Sequence, residues 1–328
     1  MWAELKNPEY GGCERSIRSL KSLIWSAKAN STVKKYSLYW QKFTAWLKKR
    51  SFPVELPVAP MKVALYIADI APTCTSASSV NAHVYGIKYA HTVCGAPDPT
   101  ISSVVTLAVE GARRSGPKHK RKKSHFDLET VKKIVARYGR EGASLRELRF
   151  VLMSVFAFLG LLRIGELLGL KTNDVVVEKD CIKLNITKSK TDQHADGREI
   201  LIDITGAIDA GSILKRYITM AGLKTNSDFL FKNIFVRKQR AKLSAKNEPM
   251  TYTRARAELG FYVEGLGLDR TKFGWHSFRH GGATAASKEG VDHGLIKDHG
   301  RWKSDSAKMT YIHESTERLL SVSKRINI

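Results

Sequence analysis

From Ser31 onward the apolar residues fall at helical intervals. Tyr36, Trp40, Phe43 and Leu47 recur at spacings of four, three and four, with Lys34, Lys35, Lys42, Lys48 and Lys49 filling the other positions. This predicts an amphipathic helix with Ser31 or Thr32 as N-cap. After the break SFPVELPVAP, further helices are predicted over Met61–Ile70, about Ser78–Val93 and Ile101–Arg114, parted by PTCTSAS and GAPDPT. Helical pattern returns at Asp127–Tyr138 and, as one long apolar stretch, at Leu145–Leu170. Between Asp174 and Ile204 the pattern changes: VVVEKDCIKLNI and REILIDI alternate like strands around the polar tract TKSKTDQHADG, predicting a hairpin or small antiparallel sheet. Ala207–Met220, Thr251–Glu264, Ser277–Glu289 and Ser304–Tyr311 read as helices, and the tail from Ser315 to Val322 is apolar on one side.

The expected architecture is therefore mainly α. A polar, unstructured opening (1–20) leads to a small helical domain (21–115), a basic linker (116–124) and an α-rich domain with a small antiparallel sheet (125–328). Two domains suit 328 residues at roughly 150 per domain. The most apolar run, Phe150–Leu162, stops at Arg163 after 13 residues. A bilayer span needs about 20, so this is a buried helix. MWAELKNPEYGGCERS has no apolar core of the secretory type. Cys13, Cys74, Cys94 and Cys181 lie far apart with no C-x-x-C pair, which argues against a zinc finger or a disulfide scaffold and for an intracellular protein.

Charge changes the picture most. Fifty-five Lys and Arg against 31 Asp and Glu leave +24, the signature of a protein that meets a polyanion. Arg113, Arg114, Lys118, Lys120, Arg121, Lys122 and Lys123 form an acid-free run that suits phosphate contacts, a nuclear localisation signal or a solvated tether.

Four segments carry candidate chemistry. Arg163 ends the apolar stretch in FLGLLRIGELLGL, with Glu166 three residues on. Either a structural Arg–Glu pair caps the helix, or the guanidinium awaits an anion. WHSFRHGG sets His276 and Arg279 three apart where a helix opens, a place that favours phosphate. HGRWKSDSAKMTYIH puts Trp302 nine residues before Tyr311, and TKSKTD presents Lys188 and Lys190 at a turn. Together these are the groups that phosphodiester cleavage without metal requires. Arginines grip nonbridging oxygens, a tyrosine attacks, a lysine protonates the departing oxygen, a histidine shuttles a proton and an indole N–H donates to phosphate.

These segments, in this order, resemble the tyrosine recombinases of the phage-integrase type. STVKKYSLYWQKFTAWL resembles the opening of that family's helical core-binding domain, LLRIGELLGL its first arginine motif, KSKT its hairpin lysine, WHSFRH its H-x-x-R, and HGRW with Tyr311 its closing motif. Two departures stand out: the glycine before the first arginine is Gly160, three positions back rather than two, and Trp302 stands where many members have His. HGRWKSD and FLGLLRIGEL look most like recombinases of eukaryotic mobile elements of the DIRS, Ngaro or Crypton kind.

The resemblance implies the roles. Arg163 and Arg279 clamp the phosphate, Tyr311 is the nucleophile, His276 moves a proton and Trp302 donates to phosphate. Lys190 is the general acid, with Lys188 its rival, and Glu166 supports Arg163. It also implies a double-stranded DNA substrate held by two domains as in a C-clamp, and a 3′-phosphotyrosyl intermediate. Four protomers would exchange strands through a Holliday junction, starting from free monomers or dimers. No cofactor, metal or membrane enters, and in a eukaryotic host the protein would work in the nucleus. Leu319, Leu320 and Val322 would dock on a neighbouring protomer or pack back on their own domain. A type IB topoisomerase-like enzyme shares the same residues, and an idle, domesticated DNA-binding protein would retain them without turnover.

Overall fold

A computed structural model describes residues 7–116, 123–187, 197–223, 227–237, 240–312 and 320. The chain divides into two compact units, Met1–Arg121 and Lys122–Ile328. The first holds α1 (Glu14–Ser26), α2 (Asn30–Lys49), α3 (Pro60–Ile70), α4 (Ala77–Cys94) and α5 (Ser103–Ser115). α2 packs on α4 and α3 on α5 around Phe43, Leu47, Tyr66, Ile67, Ile87 and Val105. The first contact is close because position 86 lacks a side chain: a Cβ on Gly86 would sit 2.7 Å from the Tyr39 Cβ. Two expectations change. α2 starts at Asn30 with Ala29 in the N-cap position, so Ser31 and Thr32 lie inside the helix. And α1 occupies part of the opening expected to be unstructured, although none of its residues is buried.

The second unit is built around α7 (Leu145–Leu159), opened by a reciprocal Ser144–Glu147 cap and buried from Leu148 through Phe158. A helix apolar on all sides must be enclosed, and α7 is: α6 (Leu128–Tyr138), α9 (Ala210–Ala221) and α11 (Trp275–Lys288) pack against it. Its one charged interior residue, Arg149, donates from Nη1 and Nη2 to the Lys232 carbonyl and Glu258, while its Nε has no partner among the described residues. β1 (Val175–Val177), β2 (Cys181–Ile186) and β3 (Arg198–Asp203) form an antiparallel sheet in the order β1-β2-β3. Alternation turns Ile182, Leu184, Ile186, Ile200 and Ile202 inward, as the sequence pattern requires. After α9 come β4 (Ile234–Arg237) and β5 (Arg240–Leu243), an antiparallel hairpin that the sequence pattern had not predicted, then α10 (Tyr252–Gly265). α12 (His293–Gly300), also unpredicted, and α13 (Asp305–Met309) follow α11.

The long helix expected over Leu145–Leu170 is two helices. α7 stops at Leu159, Leu161 takes a left-handed backbone at φ 47°, and α8 (Ile164–Gly169) starts afresh after Arg163. Continuing the helix would have carried Arg163 and Glu166 on round the same axis. Breaking it turns the peptide carbonyls of Gly160 and Leu161 outward, where they become acceptors for the site.

No helix among the described residues is long and apolar enough to cross a membrane.

Candidate active site

Arg163 is the residue just before α8, in an extended conformation at φ −79° and ψ 149°. Glu166 lies in the first turn and reaches back, accepting from the Arg163 backbone N–H at 2.9 Å and from its Nη1 at 2.7 Å. The relation between the two is thus a helix cap that also locks a guanidinium. Glu166 is buried, and its Oε2 also accepts from a residue the sequence reading left without a role. Arg301 Nη2 donates to Glu166 Oε2 at 2.8 Å, and the same guanidinium reaches the carbonyls of Leu161 (3.1 Å), His299 (2.8 Å) and Gly160 (3.4 Å). Arg301 caps α12 at φ 57°, the left-handed region where glycine is the usual occupant.

His276 and Arg279 both sit in the opening turns of α11, but they face different surroundings. His276 is exposed, whereas Arg279 is fully buried. Arg279 donates to the Leu161 and Gly300 carbonyls, so the break after α7 and the end of α12 together fix its plane. Its guanidinium carbon lies 4.2 Å from the centre of the Trp302 ring and 5.3 Å from that of Tyr311. Trp302 and Tyr311 ring centres are 5.2 Å apart. Nine residues of separation are closed because α13 turns the chain back and the Tyr311 N–H donates to the Lys308 carbonyl at 2.8 Å.

α11 presents a stripe to Tyr311 at intervals of four. The His276 ring is 6.5 Å away, the His280 ring 4.4 Å, and Thr284 Oγ1 donates to the Tyr311 carbonyl at 3.3 Å. His280 and Thr284 were not singled out from sequence; their i, i+4, i+8 relation to His276 is the signal that would have found them. His299 sits behind the site and donates from Nε2 to the Leu159 carbonyl at 2.8 Å, closing the end of α7. Burial, with help from the nearby arginines, holds its pKa below the ordinary histidine value, so it stays neutral.

The electrostatics are lopsided. Arg163, Arg279 and Arg301 face one hydrogen-bonded carboxylate among the described residues, Glu166, leaving two positive charges in excess. Burial first, then the charges of Arg163 and Arg301, push the Arg279 guanidinium below its ordinary pKa. Burial alone would raise Glu166. Attraction by Arg301 and the hydrogen bonds from Arg163 outweigh it and hold the carboxyl below its ordinary value. Three buried N–H groups, Arg279 Nε, Arg301 Nε and Trp302 Nε1, have no hydrogen-bond partner among the described residues. Each such orphan costs about 1–3 kcal/mol; Arg146 Nε and Arg149 Nε are also without a partner among the described residues, so it is the gathering of three orphans beside the excess positive charge that suits an anionic acceptor.

The remaining expected site residues fall elsewhere. Lys188 and Lys190, like Lys118, Lys120, Arg121 and Lys122, lie outside the described residues. Arg113 donates to Asn81 Oδ1 at 2.8 Å, and Arg114 is exposed. Lys123 spends its ammonium on the carbonyls of Thr271 (2.8 Å) and Phe273 (3.1 Å), so it holds its own unit together instead of reaching outward. Among the described residues no group of His, Cys, Asp and Glu is arranged to hold a metal ion.

Comparison with known proteins adds the following. The profile of the phage integrase family matches residues 122–318, more than half of the chain. An "Integrase/recombinase xerD homolog" of Selenomonas ruminantium is 26% identical over 315 residues, 94% of this chain and 89% of that protein. Among solved structures, XerH site-specific recombinase bound to its palindromic difH substrate in a post-cleavage complex superposes with a TM-score of 0.64 at 18% identity, over 90% of this chain and 80% of that one. The Tn1549 transposon integrase in complex with transposon right end DNA gives 0.62 at 14% identity, over 94% and 98%.

Proposed function

The chain belongs to the phage integrase family of site-specific tyrosine recombinases, and from that premise we propose that it cuts and rejoins duplex DNA through Tyr311. The observation that carries this reading is the buried arginine trio with its single carboxylate, set beside a tyrosine and three orphaned N–H donors. A phosphodiester supplies the missing negative charge and the missing acceptors together, and more so as charge builds in the transition state.

In this mechanism Arg163 and Arg279 hold the nonbridging oxygens and Trp302 Nε1 donates to one of them. Tyr311 Oη attacks phosphorus as the bond to the 5′ oxygen breaks. The phenol proton leaves towards His276, and Lys190, or Lys188 in its place, protonates the departing oxygen. The products are a 3′-phosphotyrosyl ester and a 5′-hydroxyl. Attack by a 5′-hydroxyl from a second duplex reverses the step and reseals the backbone, so the bond energy is kept in the ester and no ATP is consumed.

The unit Met1–Arg121 is assigned the role of holding DNA, supported by its lysine-rich α2 and by Arg114 on α5. The solved complexes of XerH recombinase with its difH substrate and of the Tn1549 integrase with transposon right end DNA support double-stranded DNA as substrate. Strand exchange through a Holliday junction requires four protomers. An apolar groove of about 870 Å³ lined by Leu159, Leu161, Leu201, Val291 and Leu295 offers a seat for the tail of a neighbouring protomer. Of that tail, Leu319 and Val322 lie outside the described residues, and Leu320 is exposed. Membership of a mobile element rests on the wording HGRWKSD and FLGLLRIGEL and is supported by the likeness to a transposon integrase. In a eukaryotic host the basic run Arg113–Lys123 would direct the protein to the nucleus.

The test is covalent capture from a library of nicked duplexes in EDTA. Wild type is expected to leave protein–DNA adducts enriched for an inverted repeat, and Tyr311→Phe to bind without any adduct. Adducts from Tyr311→Phe would remove Tyr311 from its role, unenriched adducts from wild type would favour topoisomerase-like chemistry, and wild type that binds without adducts would point to an idle DNA-binding protein.

A further inference from the structure

The stretch that carries Tyr311 is fastened to the second unit in an uncommon way. Trp302 and Ile312, at its two ends, are buried in a small apolar cluster with Leu161, Ala283 and Ile296. Of the nine residues between them Lys308 alone is buried, and Ala307 and Tyr311 are half-buried. The middle of the segment is therefore moored by an ammonium group and not by an apolar side chain.

α13 is a single turn, too short to hold its shape unaided. The Lys308 side chain is 5% exposed; its Nζ donates to the His293 carbonyl at 3.1 Å and pairs with Asp305 at 3.1 Å. His293 opens α12, and its ring Nε2 lies 3.2 Å from Ser287 Oγ near the end of α11. The ammonium is thus tied to the corner where α11 passes into α12. Through its own carbonyl Lys308 accepts from the Tyr311 N–H at 2.8 Å, while the Tyr311 carbonyl accepts from Thr284 Oγ1 on α11 at 3.3 Å. One residue thereby joins the backbone of the tyrosine to the start of α12.

Stability does not account for a lysine here. Burying an ammonium is costly even when it is paired, and a methionine of similar length would fill the space without that cost. His293 lies at the opening of α12, the positive end of its dipole, where a cation is disfavoured. Asp305 does not offset this, because it is 68% exposed and is shared with Lys297 at 3.2 Å, and a partner so open to water contributes little. What an ammonium supplies and a methionine cannot is direction. Its donors fix the register of α13 against the α11–α12 corner. With it they fix the approach of Tyr311 to Arg279 and Trp302, whose guanidinium carbon and ring centre lie 5.3 and 5.2 Å from the tyrosine ring centre.

We propose that Lys308 is a positioning residue for the nucleophile: its buried ammonium, bound to the His293 carbonyl, sets Tyr311 within attacking range of the phosphate held by Arg163 and Arg279. The proposal rests on the recombinase reading for the reaction it serves, and the fastening of the segment is tested apart from that reaction.

The experiment compares the full chain with Lys308→Met and with Lys232→Met. Lys232 is the matched control, a second buried lysine of the same unit, paired with Asp228 at 3.3 Å and outside the site. Three quantities are read: single-turnover adduct formation on a nicked duplex at saturating protein, affinity for that duplex, and amide hydrogen exchange by mass spectrometry in residues 303–312 and in α7. In Lys308→Met the rate is expected to fall about 10–10²-fold, the scale of a group misplaced by about 1 Å. Affinity should stay within about threefold of wild type. Residues 303–312 should exchange about tenfold faster while α7 is unchanged. Lys232→Met should melt at a lower temperature yet keep the wild-type rate and the wild-type exchange in 303–312. Should Lys308→Met not fold, Lys308→Gln, one bond shorter, takes its place with the same expected outcome. A wild-type rate in the Lys308 variant would overturn the proposal. So would an equal rate loss in Lys232→Met, or rate and affinity falling together with faster exchange in α7. If wild type itself forms no adduct, the recombinase reading fails, and exchange in 303–312 alone decides whether Lys308 holds Tyr311: faster exchange upholds the fastening and unchanged exchange overturns it.

Discussion

Replacing Glu166 by Gln tests the electrostatic design of the site more directly than replacing the nucleophile. The carboxylate is buried, takes 2.7 and 2.9 Å hydrogen bonds from Arg163, and a 2.8 Å bond from Arg301. Glutamine keeps one acceptor oxygen but turns an amide N–H₂ towards a guanidinium and leaves three arginines with no counter-charge. Removing one partner from a buried ion pair costs about 3–5 kcal/mol. At roughly 2–4 °C per kcal/mol for a unit of this size, the melting temperature should fall on the order of 10 °C. Because the excess charge rises from two to three, sulfate should recover more stability in the variant than in wild type.

The pH dependence has a definite sign. The folded carboxyl is held below its ordinary 4.5, so the folded state keeps it ionised where the unfolded chain begins to protonate. Its contribution is complete above about pH 4.5 and is lost as pH falls through the lowered folded value. The gap between wild type and variant should therefore be widest at neutral pH and shrink in acid. Circular dichroism melts between pH 3.5 and 7.5, with and without sulfate, read it directly. A gap under 1 °C at pH 7, or one that does not change with pH, would refute the assignment of Glu166 as the counter-ion of the arginine trio. Single-turnover cleavage should also fall, by about 10²-fold or more, since Arg163 loses the group that orients it.

Arg301→Gly suits the left-handed backbone at that position but removes the clamp on Glu166 and the Leu161 carbonyl; cleavage should drop by about 10–10²-fold with affinity for DNA nearly kept. Arg301→Lys should not restore it, because one ammonium cannot reach the four acceptors that the guanidinium fork serves, and single-turnover rates at saturating DNA decide the matter. Gly282→Ala would press a methyl into the Phe158 carbonyl where α11 crosses α7 and is expected to destabilise the second unit by about 1–3 kcal/mol or more, measured by urea unfolding.

What the sequence determined by itself follows from periodicity and residue chemistry. Helices whose apolar stripes repeat every three or four residues, and strands such as Cys181–Ile186 whose burial alternates, are fixed by patterns that local geometry must obey. The identity of the chemical groups was legible too, because few purposes bring two arginines, a histidine, a tryptophan and a late tyrosine into one basic chain. The tertiary structure decided the rest. The only local signal for a break in the apolar run is Gly160, the C-cap of α7, and the apolar residues on either side of it hide the signal; the break is held because Arg279 and Arg301, more than 110 residues away, take the carbonyls it frees. Arg301 looked like an ordinary surface charge between a glycine and a tryptophan, and only the fold buries it against Glu166. The β4–β5 hairpin escaped notice because charge, not alternating hydrophobicity, dominates its sequence. Local pattern specifies which face of an element is buried, but which distant carbonyl or carboxylate meets a buried charge is set by how the elements pack.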